Sequence, residues 1–255
     1  MYRVVVPARY ASVRLPGKPL LPLAGKPMIQ WVYERACRAG AAQVIIATDD
    51  ERVAEVARGF GAEVRLTSAT HASGTDRIAE VALREGWSDQ DIVVNLQGDE
   101  PLMPELLLAQ VATLLQAHPQ ADIATLAVPL QSAAALLDPN VVKVVLDREQ
   151  RALYFSRAPI PWVREGASAG IASQTSCAGA RRHLGLYAYR VSALRRLASL
   201  PPSALELLEK LEQLRALEHG MDIRVAEARV SPGPDVNTAQ DLSAVEARLA
   251  AMSAA

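Results

Sequence analysis

Residues 2–20 read YRVVVPARYASVRLPGKPL, a short apolar run that empties directly into a loop rich in proline and arginine. Tyr2 to Val6 is compact and β-branched, as buried parallel strands tend to be. Two further runs of the same kind follow, QVIIAT over 43–48 and DIVVNL over 91–96. Between and after them, Met28 to Arg38, Glu51 to Arg58, Gly74 to Arg84 and Pro104 to Gln116 carry helical spacing. Strand and helix in alternation predict an α/β fold with a mostly parallel sheet.

Working outward, the second half is richer in strands. Ile123 to Val128, Val141 to Leu146, Leu153 to Phe155 and His183 to Tyr189 all read as extended, close enough in sequence for some antiparallel pairing. Gly166 to Ala180 is small and polar and reads as a flexible loop. A helix is expected to start at Ser203, with Glu206 completing a capping box, and to stop at Gly220. A strand over Asp222 to Ala226 and a helix from about Ala239 close the chain.

The chain has 255 residues, enough for one large domain or two small ones, and no linker or repeat divides it. A formal net charge of -1 gives no global sign of a nucleic-acid or anionic-membrane partner. Cys37 falls in an apolar helical pattern and is expected to be buried. With only Cys177 beside it, a reduced chain without a disulfide is expected. No apolar run suits a signal peptide or a membrane span, so a soluble, cytoplasmic protein is expected.

The loop after the first strand carries the sharpest signal. Open α/β sheets bind ligands beyond the carboxyl ends of their strands. From Met1 to Tyr33 there are five cations (Arg3, Arg9, Arg14, Lys18 and Lys26) and no acid. Like charges so close repel unless an anion sits among them, and a triphosphate is such an anion. A basic loop solvated by water and salt is the plainer alternative. The loop matches neither GxGxxG nor GxxxxGK[ST], which argues against a dinucleotide-dependent oxidoreductase and a P-loop enzyme.

The third strand runs into NLQGDEP (95–101), which brings Asp99 to the same sheet edge. A carboxylate beside a triphosphate calls for a cation between them, and magnesium favours both kinds of oxygen. A helix-capping role for Asp99 and Glu100 is the alternative. In HASGTDR (71–77) the amides opening a helix suit an anion or a base edge, although an N-cap explains Ser73 or Thr75 equally well. Tyr187 and Tyr189 alternate and should share one face of their strand. Glu206 and Lys210 stand four apart, an ordinary surface pair on what reads as a self-standing amphipathic helix.

PARYASVRLPGKPL with GKPMI, HASGTDR, QGDEP, ALYFSRAPIPW, RHLGLYAYR and LEQLR follow one another from about Tyr2 to Leu242. Together they resemble the family of 3-deoxy-manno-octulosonate (Kdo) cytidylyltransferases. The resemblance implies a Rossmann-like three-layer nucleotidyltransferase fold with a strand-rich second half. It also implies one domain over 1–255, with CTP bound by 1–120 and the sugar and a homodimer contact by 121–255. The implied reaction moves CMP from CTP to Kdo, releasing pyrophosphate, for lipopolysaccharide biosynthesis; neither nucleic acid nor membrane is a partner.

By the same resemblance Pro7, Ala8, Arg9, Arg14, Lys18, Ser73 and Gly74 bind CTP. Lys18, Arg9, Arg14 and Asp99 are then the catalytic set, with Lys18 near the transferring phosphorus. Arg77, Gln97, Arg157, His183, Tyr187, Glu212 and Gln213 contact the sugar acid, and Glu100 supports or is structural. Magnesium is the implied cofactor, with Asp99 as its main ligand. The second ligand in the family is an aspartate, and this chain departs from the pattern with Asn237, so Asp235 two residues earlier is the candidate for the missing charge. Sialic acid or an amino-substituted Kdo analogue is the nearest alternative substrate, and a nucleotide-binding regulator the alternative of another class.

Overall fold

The computed structural model describes residues 1–11, 15–166 and 169–253. In chain order these form β1 (Tyr2–Ala8), the short hairpin β2 (Pro22–Leu23) and β3 (Lys26–Pro27), α1 (Met28–Arg38), β4 (Val44–Thr48), α2 (Glu51–Gly59) and β5 (Glu63–Leu66). Then come α3 (Gly74–Arg84), β6 (Ile92–Asn95), α4 (Glu105–Ala117), β7 (Ile123–Pro129), α5 (Ala133–Leu137), β8 (Lys143–Leu146) and β9 (Ala152–Ser156). Last are β10 (Arg181–Arg190), α6 (Val191–Ser199), α7 (Ala204–Glu209), α8 (Gln213–Glu218), β11 (Ile223–Glu227) and α9 (Ala239–Ser253).

One sheet runs through both halves in the order β11-β7-β10-β6-β1-β4-β5, with β8 on β10 and β9 on β8. Pairs along β6-β1-β4-β5 and β11-β7 are parallel. The strand β10 runs against both β6 and β7, joining the halves in the middle of the sheet. Alternation along β1 sends Val5 to one face and Val4 and Val6 to the other. On the first face Val5, Ile45 and Val93 pack with Ile78 and Val81 of α3 and Leu194 of α6. On the second, Val4, Val6 and Val94 pack with Ile29 and Val32 of α1 and Leu107 and Val111 of α4. These are the three layers expected.

A smaller cluster ties the chain's two ends together. Leu23 and Met28 pack with Val236, Val245 and Leu249 of the C-terminal segment and α9. The amide of Val236 donates to the carbonyl of Asp99 at 2.9 Å, so residues 235–237 are held beside the end of β6.

Some expectations are corrected. The strand β5 was not anticipated, because EVRL is only four residues long, half charged and nowhere fully buried, so its alternation is too short to announce it. Cys37 is exposed rather than buried, since Ile29, Val32 and Ala36 already form the inward stripe of α1. Both cysteines are free. The helix from Ser203 begins with the expected capping box but breaks at Lys210, whose φ is 54°. Glu206 reaches past Lys210 to Arg215 at 2.6 and 2.8 Å, so the expected surface pair does not form. Among the described residues no helix is long and apolar enough to cross a membrane.

Candidate active site

Parallel strands end at one edge of the sheet, and β1, β4 and β6 deliver Arg9, Asp49 and Asp99 there. The antiparallel β10 begins at that edge, so it presents its first residues, Arg182 and His183, to the same space. Its register slips between Leu184 and Tyr187, a bulge that includes Gly185 and re-aims side chains as bulges do.

The turn after β6 comes close to the end of β1 at Gly98, where a side chain would crowd Pro7. A Cβ there would stand 3.0 Å from the Pro7 carbonyl oxygen, and one at Gly74 would stand 3.2 Å from Pro7 Cγ. Pro7 is thus pinched between the start of α3 and the turn after β6. Lys18 follows Gly17, which takes a φ of 67°, and its Nζ donates to Asp99 Oδ2 at 2.6 Å. Arg9 Nη2 donates to the Ala72 carbonyl at 3.3 Å. Ser73 caps α3 in a complete capping box with Asp76, and its hydroxyl stands 3.5 Å from Glu212 Oε1.

Two cavities meet at this edge. The first, about 360 Å³, is lined by Pro7, Ala8, Arg9, Lys18 and Gly74. The second, about 460 Å³, is lined by His183, Tyr187, Glu212, Gln213 and Asp235, with Glu100 and Arg182. Gln97 and Asp99 line both. Asp99 therefore sits on the seam, with Lys18 on one side and the other carboxylates on the other.

The second cavity is rich in acids. Burial, with Asp99 and Asp235 nearby, pushes the Glu100 carboxyl up to about 8, and Glu100 Oε2 is buried without a hydrogen-bond partner among the described residues. Burial also raises Glu212. His183 Nε2 lies 3.0 Å from Thr125 Oγ1, and its ring meets Phe155 edge-on at 4.9 Å and Tyr187 at 5.2 Å. Burial, then the charge of Arg182, pushes this imidazole down to about 3. Tyr187 and Tyr189 stack at 5.6 Å on one face, as their alternation predicted.

Several sequence-based assignments need correction. Arg77 is fully buried; it binds Thr67 and pairs with Asp49 at 3.1 Å. It lines neither cavity, because Asp49 at the end of β4 draws it beneath α3. Arg157 is turned away as well, donating to the carbonyls of Glu209 at 2.7 Å and Pro139 at 2.9 Å. Asn237 does not line either cavity; its amide nitrogen donates to Asp235 Oδ2, so it orients that carboxylate. Arg14 lies outside the described residues. Gly98 and Arg182 were not singled out, though both belong to quoted motifs. Close backbone approach and a partner's absence are not written in a motif.

Among the described residues no three His, Cys, Asp or Glu side chains form a ready metal cage. Magnesium does not require one, since it is commonly held by one or two carboxylates together with substrate phosphates. Asp99 and Asp235, lining one cavity near the unpartnered Glu100 oxygen, offer the hard oxygen donors such an ion takes.

A family model described as Cytidylyltransferase matches residues 3–223. A 3-deoxy-manno-octulosonate cytidylyltransferase of Thioalkalivibrio sulfidiphilus is 56% identical over 250 residues, covering 98% of this chain and 99% of the relative. One from Halorhodospira halophila is 55% identical over 248 residues, covering 97% and 96%. A solved CMP:2-keto-3-deoxy-manno-octonic acid synthetase complexed with CTP superposes with a TM-score of 0.88 at 42% identity, over 99% of this chain and 100% of that one.

Proposed function

The chain belongs to the 3-deoxy-manno-octulosonate cytidylyltransferase family, and we propose that it transfers CMP from CTP to Kdo, releasing pyrophosphate, to supply activated sugar for lipopolysaccharide. The observation that carries this reading is Lys18 against Asp99, 2.6 Å apart, on the seam between a cavity with basic walls and an acid-lined one. CTP fits the first and the sugar acid the second, so the α-phosphorus falls where the two meet.

The anomeric hydroxyl oxygen attacks that phosphorus, and the bond to the β-phosphate oxygen breaks. Such a transfer asks mainly for alignment and charge neutralisation. Lys18 and Arg9 supply positive charge to the phosphate oxygens and to the departing pyrophosphate. Gly74 and Gly98 let the start of α3 and the turn after β6 close on Pro7, which shapes the cavity that both line. Tyr187 and Gln213 offer hydroxyl and amide partners for the sugar's hydroxyls. Asp99 and Asp235 would hold magnesium, which would supply further positive charge at the phosphate oxygens; Asn237 keeps Asp235 in place.

The test is pyrophosphate release from CTP and magnesium with Kdo or sialic acid in separate tubes. Release with Kdo alone supports the assignment. Release only with sialic acid keeps the reaction and overturns the acceptor, and silence with both overturns the reading.

A further inference from the structure

Residues 67–73 join β5 to α3 without regular structure of their own and lead into Gly74, on the wall of the first cavity. A loop keeps one shape beside a ligand only where a rigid scaffold braces it. Both ends of this segment are tied. The Thr67 amide and hydroxyl donate to the Thr48 carbonyl at 2.8 and 3.1 Å, and Ser73 shares the capping box with Asp76.

The middle of the segment is held by Glu80, from the middle of α3, whose side chain is only 15% exposed. Glu80 Oε2 accepts from the Ser68 amide at 2.9 Å and meets His71 Nε2 at 2.5 Å. Its other oxygen pairs with Arg84, four residues on. A helix-surface pair of that kind needs only one oxygen and contributes little; the second oxygen is given to the segment. Burial opposes the charge of Glu80, but the Ser68 amide, His71 and Arg84 outweigh it and hold the carboxyl below its usual range. The carboxylate is therefore ionised at pH 7, and its hydrogen bonds are charge-assisted.

The residue after His71 is Ala72, whose carbonyl accepts from Arg9 Nη2 at 3.3 Å. Arg9 lines the first cavity and Glu80 does not, so Glu80 reaches a ligand there only through the segment it braces. From this geometry we propose that Glu80 is a positioning residue for CTP. By fixing residues 68–71 it fixes the Ala72 carbonyl, and so holds Arg9 in place for the triphosphate before the nucleotide arrives. Charge already in place binds better than charge that must be ordered on binding.

The inference rests on the cytidylyltransferase reading, so wild type is first titrated calorimetrically with CTP and magnesium and assayed with Kdo. If it binds no CTP, that reading fails and this one falls with it. If it binds CTP but forms no CMP-Kdo, the acceptor alone is overturned and CTP binding still decides the role of Glu80. Glu80→Gln keeps the shape and loses the charge; its Kd for CTP should rise about threefold to tenfold, and Glu80→Ala should raise it further. The KM for Kdo should change by less than about twofold. In an Arg9→Ala background, itself weakened toward CTP, Glu80→Gln should add less than about twofold, because both act through one contact. A glutamate that merely stabilised the fold would show no such coupling. Circular dichroism checks that E80A folds; if it does not, E80Q with and without Arg9→Ala carries the whole comparison. An unchanged Kd for CTP, an equal rise in the KM for Kdo, or full additivity with Arg9→Ala would overturn the assignment.

Discussion

Phe155 and Tyr187 pack on the His183 ring, and Thr125 holds its Nε2. The folded chain therefore keeps this imidazole neutral down to about pH 3, whereas an unfolded chain protonates it near 6.5. Between those values the unfolded state binds more protons, so stability is lost as pH falls through that window, by up to about 1.4 kcal/mol per pH unit. His183→Gln should remove this dependence. Urea unfolding at pH 7 and pH 4.5 should show the gap between wild type and variant narrowing at the lower pH, and a constant gap would assign the acid loss to other groups. At this scale much of the site was legible: Arg9, Lys18 and Asp99 are where the loops after strands one and three placed them. Arg77 and Arg157 were not, because a sequence gives an arginine's charge but not the carboxylate or carbonyl that captures it.

The break between α7 and α8 shapes one wall of the acid-lined cavity. Glu209 accepts from Ser156 Oγ at 2.6 Å and from the Arg157 amide at 2.8 Å, fixing the end of α7. The buried Arg215 clasps Glu206 across the break. Between these anchors the chain turns at Lys210 and points Glu212 and Gln213 into the cavity. Lys210 adopts a left-handed conformation, φ 54°, which disfavours a residue with a Cβ. Lys210→Gly should stabilise the fold by up to about 1 kcal/mol, the relief exceeding glycine's added unfolded-state entropy. Denaturant titration measures it; a loss of stability would mean that the lysine side chain makes a larger contribution. Ser203 and Glu206 announced where the helix begins. The break was invisible because lysine is an ordinary helix former, and the partners that bend the chain come from β9 and from a second helix.

Arg77 and Asp49 connect distant parts of the molecule, joining α3 to the end of β4 in the interior. The same α3 carries Gly74 against Pro7, so the ion pair fixes one wall of the cavity proposed for CTP. Arg77→Met should cost about 3–5 kcal/mol by stranding Asp49, and should raise the KM for CTP as the start of α3 shifts. Adding Asp49→Leu should restore much of the stability, read by urea unfolding; no recovery would mean that Arg77 acts through Thr67 instead. By itself the sequence determined the α/β class, the order of its principal strands and helices, the loop after the first strand and the acid after the third. These are local, written in apolar periodicity, turn residues and uncompensated charge. Only the tertiary structure decided that β10 would run antiparallel between β6 and β7, that Asp235 would come beside Asp99, and which arginines would face the cleft. Strand pairing, ion-pair partners and cavity walls join residues far apart in the chain, and their energies depend on distances that exist only once the sheet has formed.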